Sequence, residues 1–206
     1  TPDGGDWPDN WRRFAALSWA AGQLATGLVA GYRPQVVHAH DWQAALAAAY
    51  VKYGPTDAVR TVLTVQNLAF QGRFGAEIFD EIRLPPHAYW ERLEYFGGVG
   101  YLKAGLAPAP ATTAVSPTYA QEIRTPAYGM GLEGLLDYRA GQLHGILNGV
   151  DPEAWDPATD ASLPQQYGPS RLHLRRINKA ALGERFGLDG GSGPLLGVVS
   201  RLTWQK

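Results

Sequence analysis

The sequence contains no cysteine. Disulfide bonds, thiolate ligands for a metal ion and a thiol nucleophile are therefore all excluded. The first ten residues, TPDGGDWPDN, have neither the basic start nor the apolar middle of a signal peptide. Both features agree with a reducing compartment, and we interpret the chain as cytoplasmic.

Long apolar runs and an excess of either charge are also absent. Gln23 and nearby glycines interrupt the best candidate for a membrane span, which needs roughly 18 consecutive apolar residues. The formal net charge of -1 offers no positive surface to nucleic acid or to an anionic membrane. We therefore expect no nucleic-acid partner and no membrane partner, and any anionic ligand needs a local site.

Several catalytic motifs are lacking as well: the G-x-S-x-G nucleophile elbow, the P-loop, H-E-x-x-H, and the D-x-D pattern of metal-dependent sugar-nucleotide enzymes. The stretch GMGLEG, residues 129–134, does match G-x-G-x-x-G. It follows a helical segment broken by Pro126, whereas a dinucleotide fingerprint directly follows a strand. We interpret it as a glycine-rich loop that precedes the helix LEGLLDY.

Short β-branched runs alternate with helical patterns along the chain. A helix is predicted from Asp9-Asn10 to near Gly31, and strands are predicted at QVVHAH, RTVLTVQN, ATTAVSP, HGILNGV and PLLGVVSRL. This alternation predicts an α/β fold, a Rossmann-like parallel sheet with helices on both faces. Open parallel sheets bind ligands beyond the carboxyl ends of their strands. The residues to examine are therefore His40-Asp41, Gln66-Asn67, Ser116, Asn148 and Arg201.

The stretch VVHAHDWQA holds two histidines, His38 and His40, that share a face if the run is a strand. A zinc site needs three or four ligands, and the other histidines stand in unrelated contexts. We expect no metal and interpret His38 as a buried histidine bonded to backbone. Asp41, at the carboxyl end of the strand, is expected to face the crevice, with capping of the next helix as the alternative.

The last stretch, SRLTWQK, places Arg201 and Lys206 five residues apart after a predicted strand. If a helix begins soon after that strand, both cations can surround an anion at its N-terminus, and a diphosphate would suit. A solvated basic turn is the alternative.

Taken in order and spacing, eight stretches resemble the bacterial glycogen synthases and plant starch synthases. They are PDNWRRFA, VVHAHDWQA, TVQNLAFQG, YLKAGL, TTAVSPTYAQEI, YGMGLEGLL, GILNGVDPEAWDPATD and VVSRLTWQK. The resemblance implies a two-domain GT-B glycosyltransferase. Its members transfer glucose from ADP-glucose to the non-reducing end of an α-1,4-glucan, with retention of configuration and without a metal or other cofactor. ADP-glucose and the α-1,4-glucan are the implied partners.

The resemblance also implies a domain organisation. Residues 1–150 would be the later part of the N-terminal Rossmann-like domain, on the acceptor side. Residues 151–193 would be the interdomain linker and helix, and residues 194–206 the first strand of the nucleotide-sugar-binding domain. The remainder of the same polypeptide is then a further partner, and we expect the isolated chain to be inactive.

The same resemblance assigns roles to single residues. Arg201 and Lys206 would hold the donor diphosphate and stabilise the charge of the leaving group. Asp41 would lie by the transferred sugar or the acceptor hydroxyl. The substrate-binding residues would be His40, Asn67, Tyr128, Gly129 and Asn148. In such enzymes the leaving phosphate itself takes the acceptor proton, so no protein base is required.

Gln66 departs from the family pattern, which reads T-V/I-H-N at this point and places that histidine at the donor sugar. A glutamine donates one neutral hydrogen bond but cannot carry a proton charge. We predict reduced rather than abolished turnover. Two alternatives remain open: a sucrose- or trehalose-phosphate-type transferase of the same architecture, and a non-catalytic homologue that binds glucan.

Overall fold

The computed structural model describes residues 5–55 and 58–200. These residues form two compact units, which divide between Asn148 and Gly149. The domain boundaries at residues 150 and 193 remain predictions. Within the described residues, no helix has both the length and the apolar character needed to cross a bilayer.

The first unit contains most of the regular elements. In chain order its strands and α-helices are α1 Asn10–Ala25, β1 Val36–His40, α2 Asp41–Lys52, β2 Arg60–Val65, β3 Arg73–Gly75, α3 Pro86–Ala88, β4 Glu94–Tyr95, β5 Gly98–Gly100, α4 Tyr101–Leu106, β6 Ala111–Ala114, α5 Pro117–Glu122, α6 Glu133–Tyr138 and β7 Leu143–Gly145. Short 3-10 turns at Ala76–Ile82 and Ala140–Gln142 and a π turn at Tyr89–Leu93 complete it.

A four-stranded parallel sheet organises this unit, in the order β1-β2-β6-β7. Each parallel connection needs a crossover, and α2 supplies the first, packing against both β1 and β2. The α/β class and the parallel sheet predicted from the sequence are confirmed. Because the strands run the same way, β1, β2 and β6 place their last residues along one edge of the sheet.

The two faces of the sheet differ in burial. Ala39, Leu63, Val65 and Ala114 lie on one face and are buried in a single apolar cluster with residues of α2 and α4. The opposite face carries His38 and other polar side chains, which are half-buried or exposed.

Several element ends differ from the sequence-based prediction. Helix α1 ends at Ala25 rather than near Gly31, because Gly27 adopts φ 109° and the Thr26 hydroxyl donates to the Gly22 carbonyl. Only the first two residues of the predicted strand HGILNGV lie in a strand, as the end of β7. The chain beyond Gly145 has no strand structure as far as Asn148.

A second, smaller sheet was not predicted. It is antiparallel, in the order β3-β5-β4, and it lies in the sequence between β2 and α4. Its strands have two or three residues each, too short for an alternating pattern to stand out.

The second unit contains one α-helix in its described part, α7 Arg175–Phe186, preceded by a 3-10 turn at Pro169–Leu174. The helical prediction for this segment is confirmed. The strand predicted at residues 194–206 is absent from its described part, residues 194–200. A strand needs a neighbour to pair with, and among the described residues no strand is paired with this segment, in which Val198 and Val199 are almost fully exposed.

Candidate active site

Asp41 links the ends of the first two strands. It follows β1 directly, and its side-chain Oδ1 accepts hydrogen bonds from the backbone N–H groups of Gln66, at 2.8 Å, and Asn67, at 3.4 Å. Its backbone adopts φ 52°, in the left-handed region that aspartate tolerates better than most residues. Asp41 therefore orders the loop after β2, a role that differs from the helix cap considered as the alternative.

Tyr119 holds the next amide of the same loop. Its hydroxyl oxygen accepts a hydrogen bond from the Leu68 N–H at 2.9 Å. The tyrosine lies in the first turn of α5, where Ser116 caps the helix by accepting from the Tyr119 N–H. Burial raises the pKa of the Tyr119 phenol and outweighs the hydrogen bond from Leu68, which lowers it, while the charge of Asp41 adds a smaller increase. The phenol is therefore neutral at ordinary pH and keeps a proton to donate.

Gln66 and Asn67 belong to the loop whose backbone amides Asp41 and Tyr119 hold. The Asn67 side chain turns back on its own loop, with Oδ1 accepting from the Ala69 N–H at 3.0 Å. Gln66 is exposed and Asn67 half-buried at the carboxyl edge of the sheet. The structure thus brings Asp41, Gln66 and Asn67 together, as expected from the strand ends.

The two histidines of β1 lie on the outer face of the sheet. Their ring centroids are 4.3 Å apart, and His38 Nε2 is 2.7 Å from the Thr64 hydroxyl. His38 is exposed and bonded to a side chain, so its interpretation as a buried histidine bonded to backbone is wrong. The reason is that residues 36, 38 and 40 alternate onto the face that the described helices leave uncovered. In residues 5–55 and 58–200, no three His, Cys, Asp or Glu side chains form a metal-binding group.

The glycine-rich loop before α6 is tied to the segment after β2. The Met130 carbonyl accepts from Gln71 Nε2 at 3.1 Å and from the Tyr95 hydroxyl at 2.5 Å. Gly131 has φ 84°, and a Cβ there would lie 2.9 Å from the Tyr95 hydroxyl oxygen, so a side chain would not fit. Residues 129–132 form the expected glycine-rich loop, and α6 begins at Glu133 inside the GMGLEG stretch.

The remaining expected site residues are less constrained. Tyr128 is exposed and Gly129 is buried in the same glycine-rich loop. Asn148 is exposed beyond β7, at the end of the first unit. Arg201 and Lys206 lie outside the described residues, so their assignment to the donor diphosphate stays a prediction.

An open cavity of about 430 Å³ adjoins the segment that follows Asn67. Its walls are residues 69–74, Trp42 and Gln43 from α2, and Asp6, Trp7 and Asn10 from the start of the unit. Indole rings beside side chains that form hydrogen bonds suit a ligand with apolar faces and polar edges. A sugar ring has that character.

Comparison with known protein families identifies the family of the chain. Residues 1–138 match the model of the starch synthase catalytic domain. The chain belongs to this family.

Two bacterial glycogen synthases and one solved starch synthase domain are similar to the chain. The glycogen synthase of Mesorhizobium japonicum is 56% identical over 204 residues, which are 98% of this chain and 42% of that protein. The glycogen synthase of Rhizobium leguminosarum bv. trifolii is 55% identical over 206 residues, covering 43% of its length. The catalytic domain of starch synthase IV from Arabidopsis thaliana, solved with ADP and acarbose, has a TM-score of 0.72 at 33% identity and matches 92% of this chain and 40% of that one. The chain therefore spans less than half the length of these relatives.

Tyr119, Gln71 and Tyr95 were not singled out as site residues from the sequence. One local signal was available for Tyr119, because it lies three residues after the helix cap Ser116 and thus close to a strand end. Gln71 and Tyr95 have no such signal, since their contact with Met130 joins residues that are 59 and 35 positions away.

Proposed function

We propose that the intact protein is a glycogen synthase, which transfers glucose from ADP-glucose to the non-reducing end of an α-1,4-glucan with retention of configuration. No metal or other cofactor takes part in the proposed reaction. A cytoplasmic location belongs to the same proposal. Because the chain spans under half of its relatives, the activity is assigned to the whole protein and not to these 206 residues.

One observation carries the proposal beyond family membership. Asp41, Gln66 and Asn67 meet at the carboxyl edge of the parallel sheet, where open sheets bind ligands, through hydrogen bonds of 2.8 and 3.4 Å. The Arabidopsis starch synthase IV domain that shares this fold was solved with ADP and acarbose. An adenine-nucleotide donor and a carbohydrate acceptor fit the proposed reaction.

The chemistry at this edge favours positioning over proton transfer. The Asp41 carboxylate accepts two backbone hydrogen bonds at Oδ1, and its oxygens have lone pairs for further donors. A sugar hydroxyl can donate to it. The described site thus supplies binding and orientation, while the proton of the acceptor is proposed to pass to the leaving phosphate.

The direct test measures ADP release by the intact protein with maltoheptaose as acceptor and ADP-glucose or UDP-glucose as donor, with and without EDTA. We expect turnover with ADP-glucose that EDTA leaves unchanged. A preference for UDP-glucose would replace the proposal with a sucrose- or trehalose-phosphate-type transferase. Loss of activity in EDTA would refute the metal-independent mechanism.

The isolated 206-residue chain provides a second test. We expect no ADP release from it, because the proposed donor diphosphate site also needs residues outside the first unit. Turnover by the isolated chain at the rate of the intact protein would contradict this expectation.

A further inference from the structure

Three successive amides at the proposed active site are held by side chains from other elements. The N–H groups of Gln66 and Asn67 donate to Asp41, and the N–H of Leu68 donates to Tyr119. We call Asp41 and Tyr119, with these three amides, the amide clamp. Its two anchors come from opposite sides of β2, since Asp41 follows β1 and Tyr119 follows β6, and these strands flank β2 in the sheet.

Such a clamp fixes the direction in which the loop after β2 points. A loop amide bonded to water can rotate, whereas an amide bonded to a partly buried side chain cannot do so without losing its partner. Tyr119 packs against the main apolar cluster, and Leu68 is buried within it. Both ends of the Leu68–Tyr119 bond are therefore anchored by packing.

We propose that Tyr119 is a positioning residue for glucosyl transfer: by holding Leu68, it sets Gln66 and Asn67 at the reacting sugar. The proposal rests on the proposed function. Tyr119 acts through the loop, because its hydroxyl oxygen accepts a hydrogen bond from the backbone N–H of Leu68. Asp41 retains its two bonds when the Tyr119 hydroxyl is removed, so the loss is graded and not complete.

The test variant is Tyr119→Phe in the intact protein, which removes the hydroxyl and preserves the ring. The matched control is Tyr50→Phe. Tyr50 is half-buried like Tyr119, and its hydroxyl donates to the Ile82 carbonyl at 2.6 Å, at the end of α2 remote from the carboxyl edge. Burial raises the pKa of Tyr50 to about 12, so both phenols are neutral in the assay.

Initial rates are measured against ADP-glucose and maltoheptaose, and thermal unfolding is measured for each variant. For Tyr119→Phe we expect kcat to fall about five- to tenfold, with both KM values within about twofold, because a small misplacement costs turnover more than binding. Tyr50→Phe should keep the kcat of the wild type while losing similar thermal stability. Equal kcat in the two variants, or a loss confined to KM, would overturn the proposal.

Amide hydrogen exchange of Leu68 gives a readout that does not need activity. We expect faster exchange at Leu68 in Tyr119→Phe and unchanged exchange in Tyr50→Phe. Unchanged exchange in Tyr119→Phe refutes the clamp even if transfer is observed. A wild-type protein without transfer refutes the proposed function instead, and the exchange at Leu68 then decides alone whether Tyr119 fixes the loop.

Discussion

The two compact units of the chain are stabilised by different interactions. Every buried apolar residue of the described chain lies between Ala15 and Leu136, in the first unit. Helix α7 of the second unit has no buried residue, and Ile177, Leu182 and Phe186 are exposed on it. A packed core can hold loops in one arrangement, so the proposed site residues that show fixed geometry are those of the first unit.

Polar contacts take the place of a core in the second unit. Asn178 exchanges two hydrogen bonds of 2.8 Å with the backbone of Gln165, and Lys179 donates to the carbonyls of Gly191 and Gly193. Such contacts near the surface contribute about 1 kcal/mol each, less than a buried apolar side chain. Local order in the second unit therefore depends on a few polar side chains.

The largest effect should come from the core of the first unit. Leu63 has no exposed surface, and Leu63→Ala should lower the free energy of unfolding by about 2 to 5 kcal/mol, because it leaves a cavity. Leu182 is 45% exposed, and Leu182→Ala is the matched change in the second unit, with an expected loss below about 0.5 kcal/mol. Urea denaturation of both variants measures the difference. Equal losses would show that the second unit has a core as important as the first.

At the site itself, Asp41 should matter most. Asp41→Ala removes the acceptor of two amides and should lower kcat in the intact protein by about 100-fold, by releasing the loop after β2. Asp41→Asn keeps one side-chain oxygen and tolerates the positive φ, so its loss should be smaller. Rates of ADP release compare the two. If Asn is as poor as Ala, the charge of Asp41, and not its hold on the loop, is what the reaction needs.

The sequence predicted the strand ends better than the contacts between them. Asp41, Gln66 and Asn67 were expected at one edge because parallel strands end together, and the structure places them there. That expectation needs only the order of apolar runs and polar residues along the chain. Tyr119 required more, since nothing local to it states that its hydroxyl reaches Leu68, which lies 51 residues earlier.

The mistaken predictions share a physical cause. A run of apolar residues indicates burial, but it does not show whether another strand pairs with the run or a helix covers it. The run at residues 194–200 is apolar and has no strand structure, and His38 lies on a strand whose outer face is exposed. Both depend on neighbours that a local pattern does not contain. The small antiparallel sheet was missed for a different reason, because its strands are too short to show a period.

A smaller effect is expected at Gln66, where the family pattern has histidine. Gln66→His in the intact protein should raise kcat by a few-fold, since an imidazole can carry a proton charge near the developing negative charge of the leaving group. The backbone bond from residue 66 to Asp41 is unaffected by this change. Steady-state rates with ADP-glucose provide the measurement. A lower rate with histidine would show that the site has adapted to the neutral amide.

The smallest expected effect concerns the outer face of the sheet in the first unit. Partial desolvation by neighbouring atoms lowers the pKa of His38 below its ordinary value of 6.5, and the nearby His40 lowers it further. In the folded protein His38 therefore takes up its proton at lower pH than in the unfolded chain. The neutral ring contributes stability above pH 6.5, and this contribution is lost as the pH falls through the lower folded pKa.

His38→Gln should consequently reduce the difference between the urea midpoints measured at pH 7.5 and pH 5. Glutamine can still bond the Thr64 hydroxyl, so the stability at the higher pH should change little. His173→Gln, at an exposed position of the second unit, is the control. Should the two variants respond alike to pH, the pH dependence arises outside β1. Because a covering helix would bury His38 more deeply, a larger shift in the intact protein than in the isolated chain would indicate that the outer face is covered there.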